Sequence, residues 1–271
     1  MNADAGSGSG SGAEQPTVAL AHPSGGQLVV SRDIDEWTQR AADLFVTLAQ
    51  SAAQGEDGRF TVALSGGSTP KRLYSTLATP AYAEQIPWER VHLFWGDERH
   101  VGPDDPESNY RMVRESLLDR ITIPEENVHR VRAELADAAE AAREYEADLR
   151  GFFALQPDGL PRFDLILLGL GPDGHTASLF PGVDALHDSE HLVAAPWVSK
   201  MNTARITLTA PVLNNAATVA FLVAGGEKAG ILHDVLEGPS QPTLFPAQLI
   251  APTNGGLLWL LDEAAAANIT H

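Results

Sequence analysis

Cysteine is absent from the 271-residue chain, which excludes disulfides and thiolate metal sites and fits a reducing cytoplasm. Lysine is scarce, with only Lys71, Lys200 and Lys228. Lysine and arginine together number 18 against 36 acidic residues, a net charge of −18. Neutralising a phosphate backbone needs clustered cations, so neither nucleic acid nor an anionic membrane surface is an expected partner. No apolar run approaches the roughly 20 residues that cross a bilayer. The opening MNADAGSGSGSG has neither a basic segment nor an apolar core, so no secretory signal is read in it and the expected location is the cytoplasm.

What is there is an ordinary globular composition, 44% hydrophobic and 20% charged, long enough for a substantial core. Residues 1–15 read as a flexible Gly/Ser-rich tail and 16–271 as a single domain. Thr17–Leu20 and Gln27–Val30 pattern as a hairpin. Asp33–Gln54 patterns as a helix with Trp37, Ala41, Leu44, Phe45 and Leu48 on one face. Then strands and helices alternate. Strands are expected at Phe60–Leu64, Val91–Trp95, Phe163–Leu168, Arg205–Thr209, Thr218–Ala224 and Gly256–Leu261. Helices are expected at Thr69–Leu77, Ser108–Leu118, Asp137–Phe153, Pro211–Ala216 and Glu227–Leu236. Apolar strands without alternation, separated by helices, predict a parallel sheet covered on both faces. Such sheets bind ligands beyond the carboxyl ends of their strands.

Four unusual turns fall at those ends. Ser65-Gly66-Gly67-Ser68-Thr69 precedes a helix whose free N–H groups can hold an anion, or it is a plain capped turn. Asp97-Glu98-Arg99 follows a buried strand, where Arg99 can reach a phosphate with both guanidinium arms; a solvated charge cluster is the other reading. Gly169-Leu170-Gly171-Pro172-Asp173-Gly174-His175 sets an imidazole two residues after a carboxylate. That pairing suits a general base near neutral pH, and the turn is expected near a helix start with Thr176 and Ser178. Gly225-Gly226-Glu227-Lys228 places a lysine at another helix N-terminus, as a phosphate ligand. Arg205 is a weaker candidate that could be structural. His187 and His191 have i,i+4 spacing without a metalloprotease pattern, so no metal site is read there.

These motifs together resemble the glucosamine-6-phosphate isomerase/6-phosphogluconolactonase family, on its lactonase side, over roughly residues 27–262. LSGGSTP, GDERxV, SNYRMxRExLL, LLGLGPDGHTASLFPG, RITLT and VAGGEKA stand in that family's order. The resemblance implies a three-layer α/β/α fold with a mostly parallel, Rossmann-like sheet. It also implies hydrolysis of a sugar-phosphate lactone, 6-phospho-D-glucono-1,5-lactone, in the oxidative pentose phosphate pathway, with no cofactor and no metal. By resemblance His175 is the base and Asp173 its carboxylate, while Arg99 and Lys228 hold the 6-phosphate. Gly66, Gly67, Ser68 and Thr69 form the phosphate-side loop, and Asp97 sits where the related deaminases keep an aspartate. Those deaminases carry an acidic residue shortly after the histidine, where this chain has Phe180. A phosphosugar isomerase or deaminase on the same fold stays an alternative, and a non-catalytic sugar-phosphate regulator a remote one. The oligomeric state is open, a monomer included.

Overall fold

The computed structural model describes residues 20–21, 26–55 and 58–270. The tail expected over 1–15, and residues 17–19 of the first expected strand, lie outside them. The hairpin is present as β1 (Leu20–Ala21) antiparallel to β2 (Gln27–Ser31). The helix α1 (Ile34–Ala53) starts where Asp33 accepts hydrogen bonds from the amides of Asp35 and Glu36, a cap that satisfies otherwise orphaned donors. Trp37, Ala41 and Phe45 are buried on its inner face, while Leu44 and Leu48 sit half-buried at its margin.

Strand β3 (Phe60–Leu64) is buried at every position. It feeds α2 (Ser68–Leu77), and a single turn α3 (Pro80–Ala83) leads to β4 (Val91–Trp95). After β5 (Asp97–Arg99) come α4 (Asn109–Ser116), α5 (Ala138–Phe152) and the fully buried β6 (Leu165–Leu168). The short strands β7 (Val193–Ala194) and β8 (Trp197–Val198) precede β9 (Thr203–Leu208) and α6 (Ala210–Asn214). The chain closes with β10 (Thr218–Val223), α7 (Ala229–Leu236) and β11 (Gly256–Asp262).

The main sheet runs β1-β2-β11-β10-β6-β3-β4. Six of its strands are mutually parallel, and only the β1 edge is antiparallel. Flanking helices cover it, as apolar strands buried on both faces require. The expected strand at Arg205–Thr209 is real but is not in this sheet. It is β9, the strand with which β5, β7 and β8 each pair in a small antiparallel system. Arg205-Ile206-Thr207-Leu208 alternates polar with apolar residues, unlike the continuous apolar strands of the doubly covered parallel sheet. Likewise the Asp97-Glu98-Arg99 turn is itself a strand, β5, pairing with β9.

From β3 the chain moves outward to β4 and then returns to β6 on the opposite side of β3. That reversal opens a crevice outside the carboxyl ends of β3 and β6, the topological switch point where doubly wound sheets take ligands. Two buried tyrosines fix its rim. Tyr74 Oη accepts from the Ser65 amide and donates to the Ser65 carbonyl, at 3.0 and 2.9 Å. Tyr145 Oη does the same for Trp95, at 2.8 and 3.0 Å. Burial pushes both phenols above their ordinary range. Among the described residues, no helix is long and apolar enough to cross a membrane.

Candidate active site

A cavity of about 200 Å³ occupies this crevice. Its first wall is the loop after β3, where Ser65, Gly66 and Gly67 lead into α2. The buried Ser65 hydroxyl has no hydrogen-bond partner among the described residues. Gly66 is held to glycine by a close approach, since a Cβ there would overlap the Asn109 side chain. Asn109 in turn donates from Nδ2 to the Asp97 carbonyl at 2.9 Å.

The second wall is β5, whose period of two splits its three charged residues. Asp97 and Arg99 face the cavity. Glu98 turns away, buried, and accepts from the amides of Asn109 and Tyr110 at 2.7 Å each and from the Ser108 hydroxyl at 3.2 Å. It therefore caps α4, and burial raises its carboxyl above the ordinary range against those hydrogen bonds. Asp97 Oδ2 accepts from Ser178 Oγ at 2.6 Å. Arg99 donates to the Glu107 carbonyl.

Opposite Arg99 in register stands Arg205 of β9. Its side chain lines the same cavity and is 6% exposed. Nε and Nη1 are buried without partners among the described residues, and Nη2 lies 3.1 Å from the Met201 sulfur. Burial, then repulsion from Arg99, lowers its pKa. A buried guanidinium with unpaired donors is expensive unless an anion completes it. Two side-by-side arginines and the N-terminus of α2 on one small cavity make an anion receptor.

The third wall is the loop after β6. It does not enter a helix near Ser178, as expected; it continues as turns to a short 3₁₀ segment at Asp184–His187. Ala177 lies in left-handed space at φ 47°, which costs an alanine about 1–2 kcal/mol and marks the loop as shaped for something other than its own stability. Gly171 has no alternative side chain, because a Cβ would overlap the His175 ring. His175 Nδ1 is hydrogen-bonded to Asp173 Oδ1. A carboxylate only accepts, so the proton belongs on Nδ1 and Nε2 keeps its lone pair. Burial pushes the imidazole pKa below its ordinary value, and Asp173 opposes that only in part. Asp173 itself is held down at about 2: burial works against ionisation, but hydrogen bonds from Lys200 and His175 outweigh it. Phe180 stacks on the imidazole with centroids 3.9 Å apart.

The comparisons with known proteins decide the family. The profile described as glucosamine-6-phosphate isomerases/6-phosphogluconolactonase matches residues 32–259. The chain belongs to this family. A Synechocystis relative named 6-phosphogluconolactonase is 46% identical over 224 residues, 83% of this chain and 90% of the relative. A human protein of the same name is 42% identical over 253 residues, 93% and 96% of the two chains. The solved structure of 6-phosphogluconolactonase from Trypanosoma cruzi aligns with a TM-score of 0.78 at 31% identity, covering 90% of this chain and 97% of that one.

Within this family frame, six of the residues expected at the site line one cavity: Gly66, Gly67, Asp97, Arg99, His175 and Arg205. Asp173 stands behind His175. Ser68 and Thr69 open α2 just outside the lining. Lys228 is not among the lining residues either. It forms the N-cap of α7, and its ammonium donates to the Leu170 carbonyl at 2.9 Å, bracing that wall from behind. Arg205, ranked low in the sequence, is the cation the cavity encloses most completely. Sequence reasoning gave no site role to Ser65, Asn109, Ser178, Lys200 or Met201. Asn109 was within reach, since SNYR was already a motif; Lys200 needed the loop crossing that only the fold supplies. His187 and His191 line a separate, larger groove of about 760 Å³ with Arg143 and Trp197. His191 is paired with Asp188 at 3.1 Å, and no three metal-ligating side chains gather among the described residues.

Proposed function

We propose that this protein hydrolyses 6-phospho-D-glucono-1,5-lactone to 6-phospho-D-gluconate, the lactonase step of the oxidative pentose phosphate pathway, with His175 as general base. Lactone hydrolysis itself follows the names of its relatives across 83% or more of the chain. The observation that carries the assignment of roles is the Asp173–His175 pair on one side of a cavity whose other side holds the Arg205 guanidinium with Nε and Nη1 unpartnered among the described residues.

The phosphate seats against Arg99, Arg205 and the N-terminus of α2, which leaves the lactone ring toward His175. Nε2 takes a proton from a water as its oxygen attacks C1. Asp173 keeps the Nδ1 proton in place and stabilises the imidazolium that forms. The tetrahedral intermediate collapses by breaking the C1–O5 bond, and the imidazolium returns its proton to the O5 alkoxide. Water and lactone have then become an open-chain acid with a free C5 hydroxyl. Asp97, held by Asn109 and Ser178, accepts hydrogen bonds from sugar hydroxyls. The test is turnover of freshly generated lactone, corrected for spontaneous hydrolysis. Catalysed opening of the phosphorylated lactone is the expected result, and a rate equal to the uncatalysed one overturns the reading.

A further inference from the structure

His175 is clamped by two groups, and one side chain reaches both. Asp173 holds Nδ1 through Oδ1, while its second oxygen is ion-paired to the ammonium of Lys200. Phe180 covers the imidazole face, and the same ammonium stands 4.6 Å from the centroid of the Phe180 ring, within cation–π range. Lys200 comes from a different part of the chain, the Ser199–Met201 turn between β8 and β9. Left-handed Asn202, at φ 51°, follows it, and Met201 beside it lines the cavity. This strap adjoins Arg205 through the Met201 sulfur.

We propose that Lys200 is a positioning residue for His175, fixing from outside the cavity both groups that clamp the imidazole. The proposal rests on the reading of His175 as the base. An unpaired Asp173 could rotate about its side-chain bonds and carry the ring with it; tied at both oxygens it cannot. The charge acts in the same direction. The groups facing His175 are Asp173 from its own loop, Lys200 from the strap, Asp97 and Arg99 from β5, and Arg205 from β9. Of the cations, Lys200 is the one bonded to the imidazole's own partner. Removing its charge both frees Asp173 to favour the imidazolium and deletes a repulsion against it. Both effects raise the affinity of His175 for a proton.

The experiment compares the wild-type chain with Lys200→Met and Lys200→Arg. The His175 imidazole is titrated by NMR, which needs no turnover, and the pH dependence of kcat/KM for 6-phosphogluconolactone is measured in parallel. Lys200→Met should move the imidazole midpoint and the acid limb upward by about 0.5–1 unit, the scale of one partly screened charge at this range. On the acid side that is about a three- to tenfold loss of kcat/KM. Lys200→Arg should restore both. At this half-exposed position Lys200→Gln supplies the same readout if methionine unsettles the strap. A folded neutral variant that titrates His175 at the wild-type midpoint overturns the proposal. A wild-type chain without lactonase turnover overturns the role of His175 instead, and the NMR midpoint then judges the Lys200 contact on its own.

Discussion

At the scale of single residues, the site sets two buried ionisable groups against each other. Burial lowers the pKa of His175 and so favours its neutral form. Because its pKa is lowered, the acid limb of kcat/KM should have its midpoint below the ordinary histidine value of about 6.5. His175→Asn should remove that limb and cost about 10²–10⁴-fold in kcat while the fold and 6-phosphogluconate binding persist. Near-wild-type turnover in a folded His175→Asn protein strikes it from the mechanism. Arg205 poses the opposite case, a charge buried at a cost to the free protein. Arg205→Met should therefore raise the melting temperature of the ligand-free chain. It should also weaken 6-phosphogluconate by roughly 2–5 kcal/mol. Calorimetry and thermal melting on the same samples check both signs, and a destabilised variant with unchanged affinity makes Arg205 a structural residue. Lys228, itself outside the lining and bonded to the Leu170 carbonyl, should lose less affinity on truncation than Arg205.

At the scale of elements, the longer strands and helices and the loops after β3 and β6 were legible because each rests on local chemistry. Buried runs such as Phe60–Leu64 have no polar alternation, Asp33 and Asp137 announce their helices as caps, and glycines break the strands at their carboxyl ends. Long-range register was not legible. Asp97-Glu98-Arg99 looks like a turn until β9 pairs with it, and Arg205 gains its meaning only as the register partner of Arg99. Glu98 was hidden for the same reason, since its three backbone donors lie ten or more residues downstream or beside it. It couples β5 to α4, so Glu98→Ala strands several buried donors at about 1–3 kcal/mol each. The expected outcome is a loss of roughly 2–4 kcal/mol in denaturant unfolding, with weaker ligand binding because Asn109 and Asp97 lose their frame. A variant of wild-type stability shows that the α4 N-terminus is capped well enough without it.

At the scale of the whole molecule, the reversal of strand order between β3 and β6 collects segments separated by over a hundred residues into one cavity, and that geometry serves more than one phosphosugar chemistry. The choice between them rests on which side chains surround the shared histidine. A deaminase must remove an amine and move protons between carbons, which calls for a further carboxyl near the imidazole. Here the face of His175 is covered by Phe180 at 3.9 Å, an apolar ring that neither accepts the imidazole proton nor orients it by a charged hydrogen bond. The one carboxylate bonded to the ring, Asp173, is already committed to Nδ1 and Lys200. Lactone opening needs a single base and a water, and in the proposed reading His175 is that base. Glucosamine 6-phosphate should therefore give no measurable ammonia under conditions in which 6-phosphogluconolactone is hydrolysed at enzymatic rates. Ammonia release at ordinary turnover would instead assign the protein to the isomerase side of its family, and Phe180→Glu would then be expected to hinder the reaction no more than any other substitution at that face.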